Sequence, residues 1–527
     1  MKFQRVAIGV ILLSAASATR AGVIWQGYGG DPQHTAISTI ASQPLQGILW
    51  QTPVDLQPQK SFGSLLIHYG SPSVTPGNTV IVPVKTGLSD GFAVKAINGA
   101  TGATLWSAAS DYSLPPANWT PGFGPTLTPT GRLYYPGAGG TVYFRDNPDS
   151  VAGPAGQVAF YGDAAYAADK STYDAGVKIC TPLTSDSAGN VYFGYRVTGA
   201  LPAGQTLTSG IAKITPGGTA TYVPITTAAM GDASISAVNM NAAPAVSQDG
   251  QTVYVALTTG GSNLTASGYL VALNSTTLLP TARVSLQDPR GSGAAAMTDD
   301  STASPMIGPD GDVYYGVLER GFATHNDRGW MLHYSADLSQ TKTPGSFGWD
   351  DTASVVPASM VPSYHGTSSY LIMTKYNNYL GLGTGNGDNR LAILDPNATM
   401  IDPFSGTSVM QEILTISGVT PDGPSPAVRE WCINTAVVDP ATGSILVNNE
   451  DGKLYRWDLA TNTFSQVITL TAGLGEAYTP TLIGADGKVY AINDATLFAV
   501  GAIPEPASLL LLGLGASGLL WKRPRTR

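Results

Sequence analysis

Charge is scarce in this chain. Asp, Glu, Lys and Arg together make up 12% of the residues, about half the usual share. What charge there is leans acidic, with 36 Asp+Glu against 27 Lys+Arg. Seven of the positives and one of the negatives lie before residue 22 or after residue 503, which leaves 20 against 35 between them. An acidic surface excludes nucleic acid and an anionic membrane face as partners, and leaves divalent cations open. Cysteine is nearly absent. Cys180 and Cys432 cannot make a disulfide scaffold, and no CxxC pattern exists to hold a metal. A single disulfide and two buried thiols both remain open. The five histidines, His34, His68, His325, His333 and His365, are scattered. There is no HExxH pair and no Walker loop. A serine nucleophile stays open, because a triad is recognised by geometry rather than spacing.

Two apolar runs mark the ends. Lys2 and Arg5 precede Val6–Leu13, and Ser14-Ala15-Ala16-Ser17-Ala18 follow. That is the charged, apolar and small-residue order of a secretory signal peptide, assigned to residues 1–21. At the other end, Pro504-Glu505-Pro506 precede an uncharged run from Ala507 to Trp521, then Lys522, Arg523, Arg525 and Arg527. The run is expected to form a short hydrophobic helix. It is shorter than the roughly 20 residues a spanning helix needs, and the basic tip would stay cytoplasmic. The order of triplet, run and tip resembles the PEP-CTERM sorting signal. The resemblance implies that an exosortase-type membrane protease processes residues 503–527. It also implies that the cargo goes to the cell surface or beyond, anchored transiently by that segment. Beyond that segment no membrane contact is expected.

Between the ends, one phrase recurs eight times. It reads SPSVTPGNTVIVPV from Ser71, GPTLTPTGRLYYPG from Gly124 and TPLTSDSAGNVYFGY from Thr181. It continues as APAVSQDGQTVYVAL from Ala243 and SPMIGPDGDVYYGV from Ser304. Looser copies are ASMVPSYHGTSSYLIMTK from Ala358, TAVVDPATGSILVNNE from Thr435 and TPTLIGADGKVYAIN from Thr479. Each copy has the period-two alternation and Gly-containing turn of a β-hairpin. A third strand follows each, and in most copies a fourth. Four strands per repeat is a propeller blade. The expected fold is therefore all-β: an eight-bladed β-propeller of four-stranded antiparallel blades over residues 22–502. The eighth copy has three strands only. Gly47–Leu56 reads as a lone outer strand and is expected to complete it, closing the ring.

AINGATGATLW, Ala96 to Trp106, together with WQGYGGDPQHTAIS from Trp25, resembles the repeats of pyrroloquinoline-quinone-type (quinoprotein-like) propellers. Their motif is A-x-D-x-x-T-G-x-x-x-W, and NSTT at 274–277 and DPATG at 439–443 are partial echoes. The resemblance implies an eight-bladed ring. It also raises a quinone held over adjacent cysteines beside a calcium site. Cys180 and Cys432 are not adjacent, which argues against the quinone.

Residues just before each innermost strand should line one mouth of the channel. His68, Tyr69, Asn239, Asn241, Arg429, Glu430, Trp431, Glu476 and Tyr478 are the candidate ligand-binding set. Arg429-Glu430-Trp431 could grip a carboxylate or stack on a sugar, or tie two blades together. Asp299, Asp300, Asp350 and Asp351 could hold calcium, although no dense D-x-D-x-D-G loop is present. The pattern as a whole favours a non-catalytic surface protein that binds exopolysaccharide, matrix or another protein. An envelope enzyme, either a quinone-dependent dehydrogenase or a polysaccharide hydrolase or lyase, is the alternative, and a pure scaffold the third.

Overall fold

The computed structural model describes residues 23–61, 64–65, 69–88, 90–115, 122–261, 264–299, 301–475 and 477–503. His68, Asp300, Glu476, Pro504, Glu505, Pro506, the signal peptide and the C-terminal apolar run lie outside them. Eight four-stranded antiparallel blades form the ring. Blade 1 comprises Ser73–Val74, Thr79–Lys85, Phe92–Asn98 and Thr104–Ser110. Blade 8 comprises Leu482–Ile483, Val489–Asn493, Thr496–Gly501 and, from the other end of the chain, Gly47–Pro53. The closing strand pairs antiparallel with Thr496–Gly501, as the missing fourth strand requires.

Burial explains the sequence texture. The second strand of a blade is covered on both faces by its neighbours, so Thr79–Lys85 is buried throughout. The outermost strand keeps one wet face, so Thr463–Thr469 of blade 7 alternates. The first hairpin turn needs a left-handed residue. Gly131, Gly189, Gly250, Gly311 and Gly487 supply it at equivalent places, with φ between 70° and 89°. The Thr101-Gly102 turn of blade 1 receives Trp50 of the closing strand. The indole N–H donates to the Gly99 carbonyl at 3.0 Å, and a Cβ at Gly102 would lie 2.6 Å from the Trp50 ring.

Two blades depart from the expected pattern. In blade 5, Met306–Ile307, Val313–Val317 and Trp330–Tyr334 are regular. Its fourth strand is reduced to Thr341–Gly345, held by isolated bridges to Tyr334 and Met331. Blade 6 compensates. Its outer hairpin, Arg390–Ile401 and Ser408–Ser417, overshoots, and Met410 N–H donates to the Pro344 carbonyl at 2.8 Å. The innermost strand of blade 6 is Ser354–Pro357, ahead of the phrase read from Ala358. Ala358–Met360 is a single 3-10 turn instead.

The segment before the closing strand has no periodicity, and it occupies the channel. The innermost strands of blades 1, 2, 4, 5, 6 and 7 each donate one N–H to it. Val74, Leu127 and Val246 donate to the carbonyls of Trp25, Gln26 and Pro32, each at 2.8 Å. Ile307, Val355 and Val438 donate to Gln33, Thr35 and Ala36, each at 2.9 Å. Blade 3 is tied to blade 2 instead, through Leu183 N–H to the Gly124 carbonyl at 3.0 Å. Residues 24–38 are thus a thread that stitches the ring from inside.

Candidate functional site

At one mouth the thread presents Tyr28. Its hydroxyl contacts Thr352 Oγ1 at 2.7 Å and the Asn434 side chain. Burial pushes this phenol well above its usual range. With Tyr69, Asn241, Thr302, Asn434 and Tyr478, it surrounds a cavity of about 30 Å³. Small-molecule sites begin at about 300 Å³, so this space suits a water or two. Asn241 sits at φ 64°, and neither atom of its amide has a partner.

Most of the expected mouth residues are engaged by the protein itself. Tyr69 donates to Asp55 Oδ2 at 2.9 Å. Asn239 donates to the Tyr315 hydroxyl at 3.1 Å. Lys375 Nζ lies 5.2 Å from the centre of the Tyr478 ring. Trp431 is fully buried. It packs on Tyr455 and Phe464, and its backbone is clamped by the Asn377 side chain at 2.9 and 3.2 Å. It is therefore not a platform for a sugar, contrary to the expectation from its position.

Among the described residues, the three candidate aspartates each have separate partners. Asp299 makes a two-pronged pair with Arg196 at 2.6 and 3.0 Å. Asp350 accepts the backbone and hydroxyl of Thr302 at 2.6 and 2.7 Å. Asp351 accepts from Thr374 Oγ1. A calcium site needs six to eight oxygens turned toward one centre, and these carboxylates turn toward separate donors.

What converges is the rest of the REWCIN stretch. Cys432 Sγ donates to Glu450 Oε2 at 3.1 Å, and the Glu430 carboxyl closes the group. Arg429 stands over it, 3.0 Å from Asp422 and 4.0 Å from Glu450. Burial, then the neighbouring Glu430, push Glu450 up to about 8. Burial raises Glu430 as well. Both carboxyls thus hold their protons more tightly than exposed ones do, and Cys432 and Glu450 are buried while Glu430 is half-buried.

Burial also raises Asp351, to about 7, against a partial offset from Lys375. A carboxyl raised on folding binds its proton more tightly in the native state. Its effect on stability is absent below the unfolded value near pH 4 and becomes a penalty as pH rises to about 7. Asp351→Asn should therefore gain in Tm over the parent between pH 4 and 7. The gain should be a few degrees, because each tenfold change in proton affinity between the two states is worth about 1.4 kcal/mol and relaxation around the side chain returns part of it. A difference in Tm that does not change with pH would contradict this.

One apparent nucleophile cluster is a structural contact. Ser346, His325 and Asp402 are in mutual contact and fully buried. The Ser346 hydroxyl donates to Asp402 at 2.5 Å, and His325 Nε2 stands 3.2 Å from the same carboxylate. The serine is thus committed to the acid rather than activated by the histidine, and the trio pins the blade 6 hairpin to blade 5. Gly87-Leu88-Ser89-Asp90-Gly91 spells G-x-S-x-G. Its Ser89 lies outside the described residues. The flanking strands Thr79–Lys85 and Phe92–Asn98 pair with each other, whereas a nucleophile elbow lies between a strand and a helix.

The fold defines an eight-bladed β-propeller with a sorting motif at its exit. A family model described as the PEP-CTERM protein-sorting motif matches residues 502–524. That motif implies export and membrane-associated sorting with exosortase processing. No curated protein matches the sequence. Among solved structures, a europium-containing methanol dehydrogenase is similar at 12% identity and TM-score 0.39, covering 89% of each chain. Quinohemoprotein alcohol dehydrogenase from Comamonas testosteroni is similar at 12% identity and TM-score 0.39, covering 93% of this chain and 82% of that one. BamB from Moraxella catarrhalis is similar at 10% identity and TM-score 0.40, covering 87% of this chain and 98% of that one. Likeness at such identity says nothing of activity. Among the described residues no helix is long and apolar enough to cross a membrane.

Proposed function

We propose that the protein is a cell-surface or extracellular propeller that acts as a non-catalytic binding protein for a glycan, matrix or protein ligand. Residues 1–21 serve as its signal peptide, and residues 503–527 as the processed and transiently anchoring tail. The observation that carries this reading is the filled channel. The cavity lined by Tyr28 is only about 30 Å³, which supports a reading without a tricyclic quinone there. Cys180 and Cys432 are not joined in a disulfide, and they are not neighbours in sequence as the pair beneath a quinone would be. Recognition is left to the rim loops, whose polar side chains suit a hydroxyl-rich or peptide partner. The chain leaves blade 8 at Gly501, and Ala502 N–H is still bonded to Gln43 Oε1 at 2.9 Å. The sorting tail thus starts where the ring ends.

Native mass spectrometry on protein taken from the envelope of its own host tests this. The expected species lacks both ends and carries no quinone. A quinone adduct, or a retained C-terminal tail, would overturn the corresponding half of the reading. The enzyme alternative draws its support from the Glu430, Cys432 and Glu450 group alone.

A further inference from the structure

We infer that Glu430, Cys432 and Glu450 form a binding site for one divalent transition-metal ion of the zinc type at the channel mouth. The three ligand atoms lie within 4.8 Å of one another. Tetrahedral zinc, with bonds of about 2.0–2.3 Å to oxygen and sulfur, needs them roughly 3–4 Å apart. The Cys432–Glu450 edge is already 3.1 Å, so side-chain rotation of Glu430 completes the set. Among the described residues no other group of three His, Cys, Asp or Glu comes together in this way.

Blade 7 supplies all three from two adjoining segments. Glu430 and Cys432 precede its innermost strand, Val437–Asp439. Glu450 sits in the turn between Ser444–Asn448 and Lys453–Asp458. The Asn449 side chain accepts from Cys432 N–H at 3.3 Å and so ties the two segments together. The geometry is thus set by strand pairing rather than by a loose loop.

An independent observation points to a missing partner. Glu450 is only 8% exposed. Outside the group, no hydrogen-bond donor among the described residues reaches its carboxylate. Arg429 Nη1 stops at 4.0 Å, and that guanidinium is engaged by Asp422 at 3.0 Å. A buried carboxylate whose one donor is a thiol is costly. A cation set among the three side chains would remove that cost.

The ligand types choose the ion. Calcium and magnesium take hard oxygen ligands and reject a thiolate. Zinc accepts sulfur and carboxylate oxygen together. Arg429 and Lys375 oppose a cation here, since both act on Glu430. Two carboxylates and a thiolate outweigh a divalent charge and leave room for them. Glu430 is half-buried, so solvent reaches its side of the group, and water or an oxygen atom of a partner could complete the shell. The inference goes beyond the binding role proposed above and does not depend on it.

Cobalt titration of the full chain, stripped with a chelator, is the test. One equivalent of Co²⁺ should bind, give a thiolate-to-cobalt charge-transfer band, and be displaced by Zn²⁺ but not by Ca²⁺. Cys432→Ser should abolish the band, and Cys180→Ser should keep it. Glu450→Gln should weaken affinity by at least the roughly 10–100-fold that losing an outer-shell partner costs. An unchanged thermal melt of Cys432→Ser without metal would show that the variant is folded. No charge-transfer band, or a band that survives in Cys432→Ser, would overturn the assignment.

Discussion

A chain that starts at residue 39 is expected to lose the cooperative thermal transition of one that starts at residue 23. The thread takes one backbone hydrogen bond from each of six innermost strands, all at 2.8–2.9 Å. Each such bond is worth about 0.5–1.5 kcal/mol net, and leaving its donor unmet in a closed channel costs more. Trp25 is 1% exposed and packs in the core shared by blades 1 and 8. Its removal alone should cost about 3–5 kcal/mol. The total matches or exceeds the stability of a typical domain, about 5–15 kcal/mol. Circular dichroism melts of the two chains would decide it. An unchanged melting temperature would mean that the blades hold the ring by themselves and the thread is only a lodger.

The thread also shows where reading the sequence stops. Blades were legible because each one repeats its own local chemistry: alternation, a turn glycine, alternation again. Gly47–Pro53 was legible because the eighth copy was one strand short. Residues 24–38 repeat nothing. Their partners are single positions in six blades, and no pattern within the segment encodes such contacts. The fourth strand of blade 5 was missed for a related reason, since the hairpin that covers it belongs to blade 6. At the mouth, Glu430 was identifiable from its place before a core strand. Trp431, one residue on, points the other way into the seam between blades. Cys432 and Glu450 were not connected, because the turn at Asn449–Gly452 returns to the mouth only once blade 7 has paired. Spacing along the chain says little about what strand pairing brings together across it.

Where the closing strand ends, the chain turns to bond with blade 1, and the second large effect is expected there. Val54 accepts from Lys85 N–H at 2.8 Å, and Leu56 N–H donates to the Lys85 carbonyl at 3.0 Å. The Lys85 ammonium meets Asp55 at 3.1 Å, with side-chain exposures of 2% and 0%. Lys85→Met should destabilise the protein by about 3–5 kcal/mol in urea at neutral pH, because it strands a buried carboxylate. Among the described residues, Asp55 would keep the Tyr69 hydroxyl and the Gln57 N–H. Adding Asp55→Asn to Lys85→Met should recover most of the loss, since taking two charges out of water is itself expensive. If the double variant is as unstable as the single one, the pair contributes net stability and the desolvation argument fails. If it recovers, the pair serves to fix where the closing strand latches onto blade 1. That latch sets the position of Tyr69, and through it one wall of the mouth.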